Sequence, residues 1–442
     1  MDDAESEPAA AGTPNTHPTG FWFFFWGEFA ERASYYGMRA ILPLYMTSRI
    51  HLSDDQAAEW YSYFKAACYL LPLLGGYLAD RFFGRYWTIV GFSVPYVVGQ
   101  LIIGIENSSI LVLALLLLAG GSGVIKPNIS ALMGQTYDQQ RPGNTTLRAN
   151  AFLWFYFSIN VGSTISMVAL PMVRDRFGYQ VAFFIPAILM AAALLVFALG
   201  KRYYARETPG VTPVMDPEER RRQIRGLGPL FAVFFLMVFF WVAYEHNDNL
   251  WVFFARDHLY RSLPAWLGGF ELAPDQFQFI NAALILVFVP LSQWFWPKVD
   301  PTGRRFPHTT KILLGFLSTA LAPATMAGAS AAADATGGKV TAMWLVVAYF
   351  FLTVGEVLVY GTGLDLSYAY APPSMKGFVT ACFLLTIAGG NLINTQYAPL
   401  YETRLPATWL YLTDVAIVLV AAFAFYFVGR SFNRGRLDRA AT

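Results

Sequence analysis

Cysteine is nearly absent. Cys68 and Cys382 stand alone in apolar runs with no C-x-x-C spacing, which excludes a disulfide framework or a cysteine metal centre and leaves two small buried hydrophobes. Charge is scarce as well. Asp, Glu, Lys and Arg make up 14% of the 442 residues, against about 25% in soluble domains, so an ordinary water-soluble protein is excluded. The net charge of +2 points to neither nucleic acid nor an acidic partner. The five histidines include no H-E-x-x-H, and no G-x-x-x-x-G-K-[ST] occurs, so neither a zinc hydrolase nor an ATP-driven machine is indicated. Strand-like alternation is missing, which removes a membrane β-barrel. Residues 1–19 lack a basic leader region and are acidic and rich in Ala, Pro and Thr, the composition of a disordered tail rather than of a cleaved signal peptide.

What is abundant is apolar: 56% of the residues are hydrophobic and 17% aromatic. Runs long enough to cross about 30 Å of hydrocarbon occur near 20–48, 56–79, 86–105, 109–135, 147–173, 178–200, 229–256, 276–297, 309–329, 341–370, 376–400 and 407–429. The expected class is an all-α integral membrane protein with about twelve transmembrane helices in two six-helix halves. The polar stretch "GKRYYARETPGVTPVMDPEERRRQIRG", broken by Pro209, Pro213 and Pro217, would join the halves. The expected organisation is a disordered tail over 1–19, a six-helix bundle over 20–203, a linker over 204–228, a second bundle over 229–430 and a tail over 431–442.

Basic residues set the orientation, because loops rich in Lys and Arg stay inside. Arg81, Arg85, Arg141 and Arg148 follow the second and fourth runs, and Arg220, Arg221, Arg222 and Arg225 lie in the linker. Lys298, Arg304, Arg305, Lys376, Arg430 and Arg434 continue the series after the eighth, tenth and twelfth. Alternate loops mix signs, as Arg49 does with Asp54, Asp55 and Glu59. Both termini, the linker and the tails are therefore expected in the cytoplasm, with the chain in the plasma membrane, which is the inner membrane if the source is bacterial.

Against this apolar background the stretch "GEFAERASYYGMR" is anomalous. On a helix Glu28, Arg32, Tyr35 and Arg39 fall within about 60° of one another, with Glu31 beside them. A charge at the bilayer centre costs at least about 2.5–3.5 kcal/mol, so such a stripe survives only as an ion-paired seam between helices or as the lining of a polar cavity. Four charges beside Tyr35 and Tyr36 favour the cavity. Further ionisable groups in apolar runs are Lys126, Glu245 and Glu356, with Trp241, Glu245, Asp248 and Asn249 on one face and Tyr349, Glu356 and Tyr360 on another. Tyr156, Asn160 and Asn281 add neutral polar groups, which as single residues also serve as glue between helices. His246 points about 100° away from Glu245, as expected for a packing or hydrogen-bonding histidine rather than a proton carrier.

In combination and order these segments resemble the proton-dependent oligopeptide transporters, a branch of the major facilitator superfamily. "EFAERASYYG" resembles the family's E-x-x-E-R signature, "GGYLADRFFGRYWTI" its loop after the second helix, and "GVIKPNISALMG" its fourth-helix lysine motif. "FYFSINVGS" resembles its fifth-helix signature and "TVGE" its tenth-helix glutamate motif. The resemblance runs from about residue 20 to 430. It implies proton-coupled symport of di- and tripeptides by alternating access in a major facilitator fold, with protons as the only coupling species, no cofactor or metal, and a monomer in the bilayer. Proton coupling would involve Glu28, Glu31, Arg32, Lys126 and Glu245. Arg39 and Lys126 would lie toward the carboxyl end of a bound peptide and Glu356 at its amino end. Asn160 and Asn281 would meet its polar groups, and Tyr35, Tyr36, Tyr156 and Trp241 would shape the pocket.

The chain departs from the family pattern at Ala33, at His246, and in "VYGTGL", which contains Tyr360–Leu364, positions that surround the pocket. The linker has no apolar run for the two additional helices of many bacterial members, so the plain twelve-helix form is expected. Departures of this kind leave a relative that carries another amphipathic solute or drug as the alternative. An intramembrane enzyme using Glu245 and His246 is the remote one, because no second histidine stands at ligand spacing.

Overall fold

The computed structural model describes residues 16–207 and 227–440, apart from 263–264, 266–267, 301–304 and 372–375, together with positions 218, 221 and 224. The expected tail over 1–19 therefore lies mostly outside the described residues, as does most of the linker over 204–228 and the end of the tail over 431–442. In chain order the helices are α1 Thr19–Ser48, α2 Asp54–Leu78, α3 Gly84–Ile102, α4 Ser108–Gln140, α5 Thr145–Phe177, α6 Tyr179–Leu199 and α7 Gly228–Glu245. They continue with α8 Leu250–His258, α9 Phe279–Val299, α10 His308–Thr336, α11 Met343–Glu356, α12 Thr362–Tyr370, α13 Lys376–Tyr397 and α14 Ala407–Ala440. Among the described residues, nine helical stretches are long and apolar enough to cross a membrane, the first of them Ser108–Gln140 and the last Ala407–Asn433.

Local chemistry sets the ends. Asn107 caps α4 by accepting from the amides of Ser109 and Ile110, and Asn144 caps α5 by accepting from Leu147. Gly178, with φ of +85°, makes the turn into α6 that a residue with a Cβ would strain. The seventh apolar run is not one straight helix. After Glu245 it tightens into a 3-10 turn over His246–Asp248, because Asn247 donates to the Tyr244 carbonyl and Asn249 accepts from Leu250, each displacing a regular helical bond. The tenth run is interrupted likewise, by a π turn over Val357–Gly361 immediately after Glu356. Such turns widen a helix and often mark functional positions. The last helix continues past its expected end to Ala440.

The contacts divide the chain into two units: Met1–Met38 with Leu71–Pro213, and Arg39–Leu70 with Val214–Thr442. In the first, α3 packs on α4 and α6, and Gly162 of α5 passes so close to the Phe29 carbonyl that a Cβ would stand 2.8 Å from it. In the second, α10 packs on α11 and α14 while α7 packs on α13 and α14. Gly390 of α13 lets the α7 backbone approach until a Cβ would lie 2.6 Å from that of Trp241. Both units turn apolar side chains outward, Leu116 being 64% and Val420 69% exposed, while ionisable groups such as Arg32 and Glu245 lie inside. That inversion of a soluble protein's pattern suits hydrocarbon as the solvent.

Candidate functional site

In the first unit, α1 presents Glu28, Glu31 and Arg32 in the interior, none more than 3% exposed. Arg32 Nε lies 3.0 Å from Glu28 Oε1 and is also paired with Glu31, and its guanidinium faces the Tyr35 ring at 5.7 Å. Lys126 of α4 lies near enough to act electrostatically on both carboxylates. A cavity beside them is walled by Phe24, Gly27, Ser93, Ile125 and Met190. Tyr35 and Tyr36 set their rings edge to face at 5.3 Å. On α5, the Asn160 amide donates to the Tyr156 carbonyl at 3.0 Å, so that nitrogen is engaged within its own helix.

The second unit holds the end of the opening stripe, and its partners are not on α1. Arg39 Nη1 lies 3.0 Å from Asp248 Oδ2. Lys65 Nζ of α2 sits between two carboxylates, 2.9 Å from Glu245 Oε2 and 2.6 Å from Asp248 Oδ2. Glu245 and Asp248 converge because the 3-10 turn after α7 brings them onto one side. The position of Arg39 is braced on both sides. Gln278 donates to the Ala40 carbonyl at 3.2 Å, and Arg256 of α8 reaches Asp54 at 2.7 Å at the start of α2. Two cations and two carboxylates, all buried, sum to zero charge. Burying any one alone would be prohibitive.

Glu356 is held differently. Asn281 donates to its Oε2 at 2.7 Å and to Thr353 Oγ1 at 3.1 Å, and the Tyr244 hydroxyl is hydrogen-bonded to the same carboxyl group. Among the described residues no lysine, arginine or histidine is ion-paired with it. A carboxyl group oriented by neutral donors has capacity left for an ammonium ligand. Nearby, the Trp241 indole donates to Thr386 at 2.9 Å and meets the Tyr360 ring edge to face at 6.1 Å.

The sequence-derived candidates thus fall into three groups: Glu28, Glu31, Arg32, Tyr35 and Lys126; Arg39 with Glu245; and Asn281 with Glu356. The single stripe of α1 is divided, Arg32 belonging to one unit and Arg39 to the other. Lys65 and Tyr244 were not among the candidates. Lys65 is the lone cation in "YSYFKAACYLL", the same signal that singles out Lys126, whereas Tyr244 is one tyrosine among many aromatics.

A family model described as the POT family, PTR2, matches residues 86–218 and 209–408. The chain is 30% identical over 365 residues to "Peptide transporter family 1" of Drosophila melanogaster, covering 72% of this chain and 48% of that protein. It is 29% identical over 368 residues to "Solute carrier family 15 member 1" of Homo sapiens, covering 69% and 51%. The chain spans about half the length of these curated relatives. A crystal structure of the POT family transporter PepTSo superposes with a TM-score of 0.84 at 25% identity, over 95% of this chain and 99% of that one.

Proposed function

Because this chain belongs to the POT family, we propose that it is a proton-coupled symporter of di- and tripeptides, a carrier and not an enzyme, working by alternating access. The fold is then that of the major facilitator superfamily, with twelve spans in two halves, the linker and both termini cytoplasmic, and the turn around 49–53 on the outer side. The Arg39–Lys65–Glu245–Asp248 cluster carries this proposal. It ties the outer ends of α1 and α2 to α7 through charges that cancel only while both acids are ionised. A proton arriving at Glu245 removes one of the two partners of Lys65, leaves the cluster at +1 and weakens the tie. Peptide and proton drive the conformational shift only so far as each binds one state better than the other.

Glu28, Glu31, Arg32 and Lys126 form a second proton-responsive group. The peptide would place its ammonium at Glu356 and Asn281 and its carboxylate toward Arg39 and Lys126, with Tyr35, Tyr36, Tyr156, Asn160 and Trp241 around it. The decisive test is uptake of a labelled dipeptide into proteoliposomes with an acid exterior, in competition with di- and tripeptides, single amino acids and organic anions. Peptides should compete and accumulate against their gradient. Selective competition by organic anions instead would transfer the assignment to another amphipathic solute.

The α1 cluster supplies its own check. Arg32→Lys keeps the charge but loses the planar fork able to engage two carboxylates at once. Gradient-driven uptake should fall sharply while the yield of folded protein stays near that of the wild type. A fall in thermal stability that parallels the fall in uptake would mean that Arg32 is a structural seam.

A further inference from the structure

His246 takes no part in the charge clusters above. Its ring is fully buried, with Nδ1 2.9 Å from Asp414 Oδ2 of α14 and Nε2 3.2 Å from Asn394 Oδ1 of α13. The Asn394 amide donates to the Val242 carbonyl at 2.9 Å. That bond fixes the orientation of Asn394, since the reverse would set its oxygen against the Val242 oxygen, so the atom facing Nε2 is an acceptor. Nε2 therefore carries hydrogen. On a neutral imidazole Nδ1 would then present a lone pair to the carboxyl oxygen of Asp414, two acceptors 2.9 Å apart. The contact makes sense only with a further proton, on Nδ1 as an imidazolium–carboxylate pair or on Asp414 as an acid donating to the ring. Either form leaves the pair at zero net charge.

The surroundings match. On the histidine's own turn, Glu245 and Asp248 are engaged by Lys65 and Arg39. From α13 the ring meets Tyr397, whose centroid is 5.4 Å away and whose hydroxyl stands beside Asp414 while donating to the Leu410 carbonyl. From α14 the nearby titratable groups are Asp414 and Tyr411. Among the described residues no lysine or arginine is paired with Asp414, and its Oδ1 is buried without a hydrogen-bond partner. Among the described residues His246 is the one ion-pair partner of this carboxyl group.

We propose that His246 and Asp414 hold one retained proton, a further proton site apart from the Glu245 and α1 clusters, and that it pins the His246–Asp248 turn which presents Asp248 to Arg39 and Lys65. His246 is thus a positioning residue, and its proton is not transported. The site is assigned from hydrogen-bond geometry alone, whereas the claim that its proton is not carried rests on the transport function proposed above.

Thermal unfolding of the purified full chain in detergent, followed from about pH 5 to 8, where an ordinary histidine changes charge, tests the site without any substrate. In Asp414→Asn the new amide donates to Nδ1 of a neutral ring, so the wild-type pH profile should persist. In His246→Gln, Asp414 must hold its own proton, so stability should be retained at acid pH and lost as pH rises. His246→Gln/Asp414→Asn should flatten the profile again, which keeps the proposal testable if the single His246 variant does not fold. A His246→Gln profile parallel to wild type would overturn the shared proton. In proteoliposomes Asp414→Asn should accumulate peptide against its gradient as wild type does. Loss of accumulation with exchange intact would show that the proton is carried, and would overturn its retention without touching the transport assignment.

Discussion

Glu245→Gln is expected to reduce acid-driven peptide accumulation to the passive level while sparing the exchange of labelled for unlabelled peptide. Exchange needs only the loaded carrier to change state, whereas accumulation needs a group whose charge follows the proton gradient, and glutamine has none. Lys65→Met should lose accumulation too, for the opposite reason: Glu245 and Asp248 would share Arg39 alone, and removing one partner of a buried pair costs about 3–5 kcal/mol. Lys65→Met/Glu245→Gln restores the balance, leaving Arg39 with Asp248 at 3.0 Å. Its melting temperature should therefore lie above that of Lys65→Met, while accumulation stays absent. Full accumulation by Glu245→Gln would remove that residue from coupling. A double variant no more stable than Lys65→Met would mean that Lys65 and Glu245 do not stabilise each other.

The helices and the polar residues on them were legible in the sequence because both follow from local rules: apolar length for the spans and 100° spacing for the stripe. Each expected apolar run is mostly helical, the seventh and tenth with the interruptions described above. The partners were not legible. Glu28, Arg32 and Arg39 share a face of α1, but which charge each meets depends on what packs against that face. Arg39 is matched by Asp248, 209 positions along the chain, a distance over which periodicity carries no information. The 3-10 turn after Glu245 was only half legible. Asn247, Asp248 and Asn249 in succession are poor helix formers, yet a continuous run of apolar residues on either side of them suggests an unbroken helix. The same holds at Glu356, where no residue in "VLVYG" demands a π turn; the widening accompanies Val359 packing against Gly315 of α10, a tertiary contact.

The charges already matched in the structure bear on which end of a peptide matters more. Arg39 is engaged by Asp248 and Lys126 acts on Glu28 and Glu31, so a substrate carboxylate would have to share cations that have other partners. Glu356 is oriented by Asn281 and Tyr244, which are neutral, and among the described residues it is paired with no cation. An ammonium would be its first full counter-charge. Acetylating the amino terminus of an alanine-containing dipeptide should therefore weaken binding by well over tenfold, each tenfold being about 1.4 kcal/mol. Amidating the carboxyl end should weaken it less, because the cations it leaves behind fall back on Asp248, Glu28 and Glu31. Glu356→Gln keeps an acceptor for the Asn281 amide but no charge, so it should bind the free dipeptide poorly and no longer separate it from the acetylated form. Competition against a labelled dipeptide, with the free, acetylated and amidated forms on wild type and on Glu356→Gln, measures all of these at once. Equal potency of the three forms on wild type would overturn the placement of the peptide ends. A Glu356→Gln protein that still rejects the acetylated form would move the ammonium seat to another carboxylate.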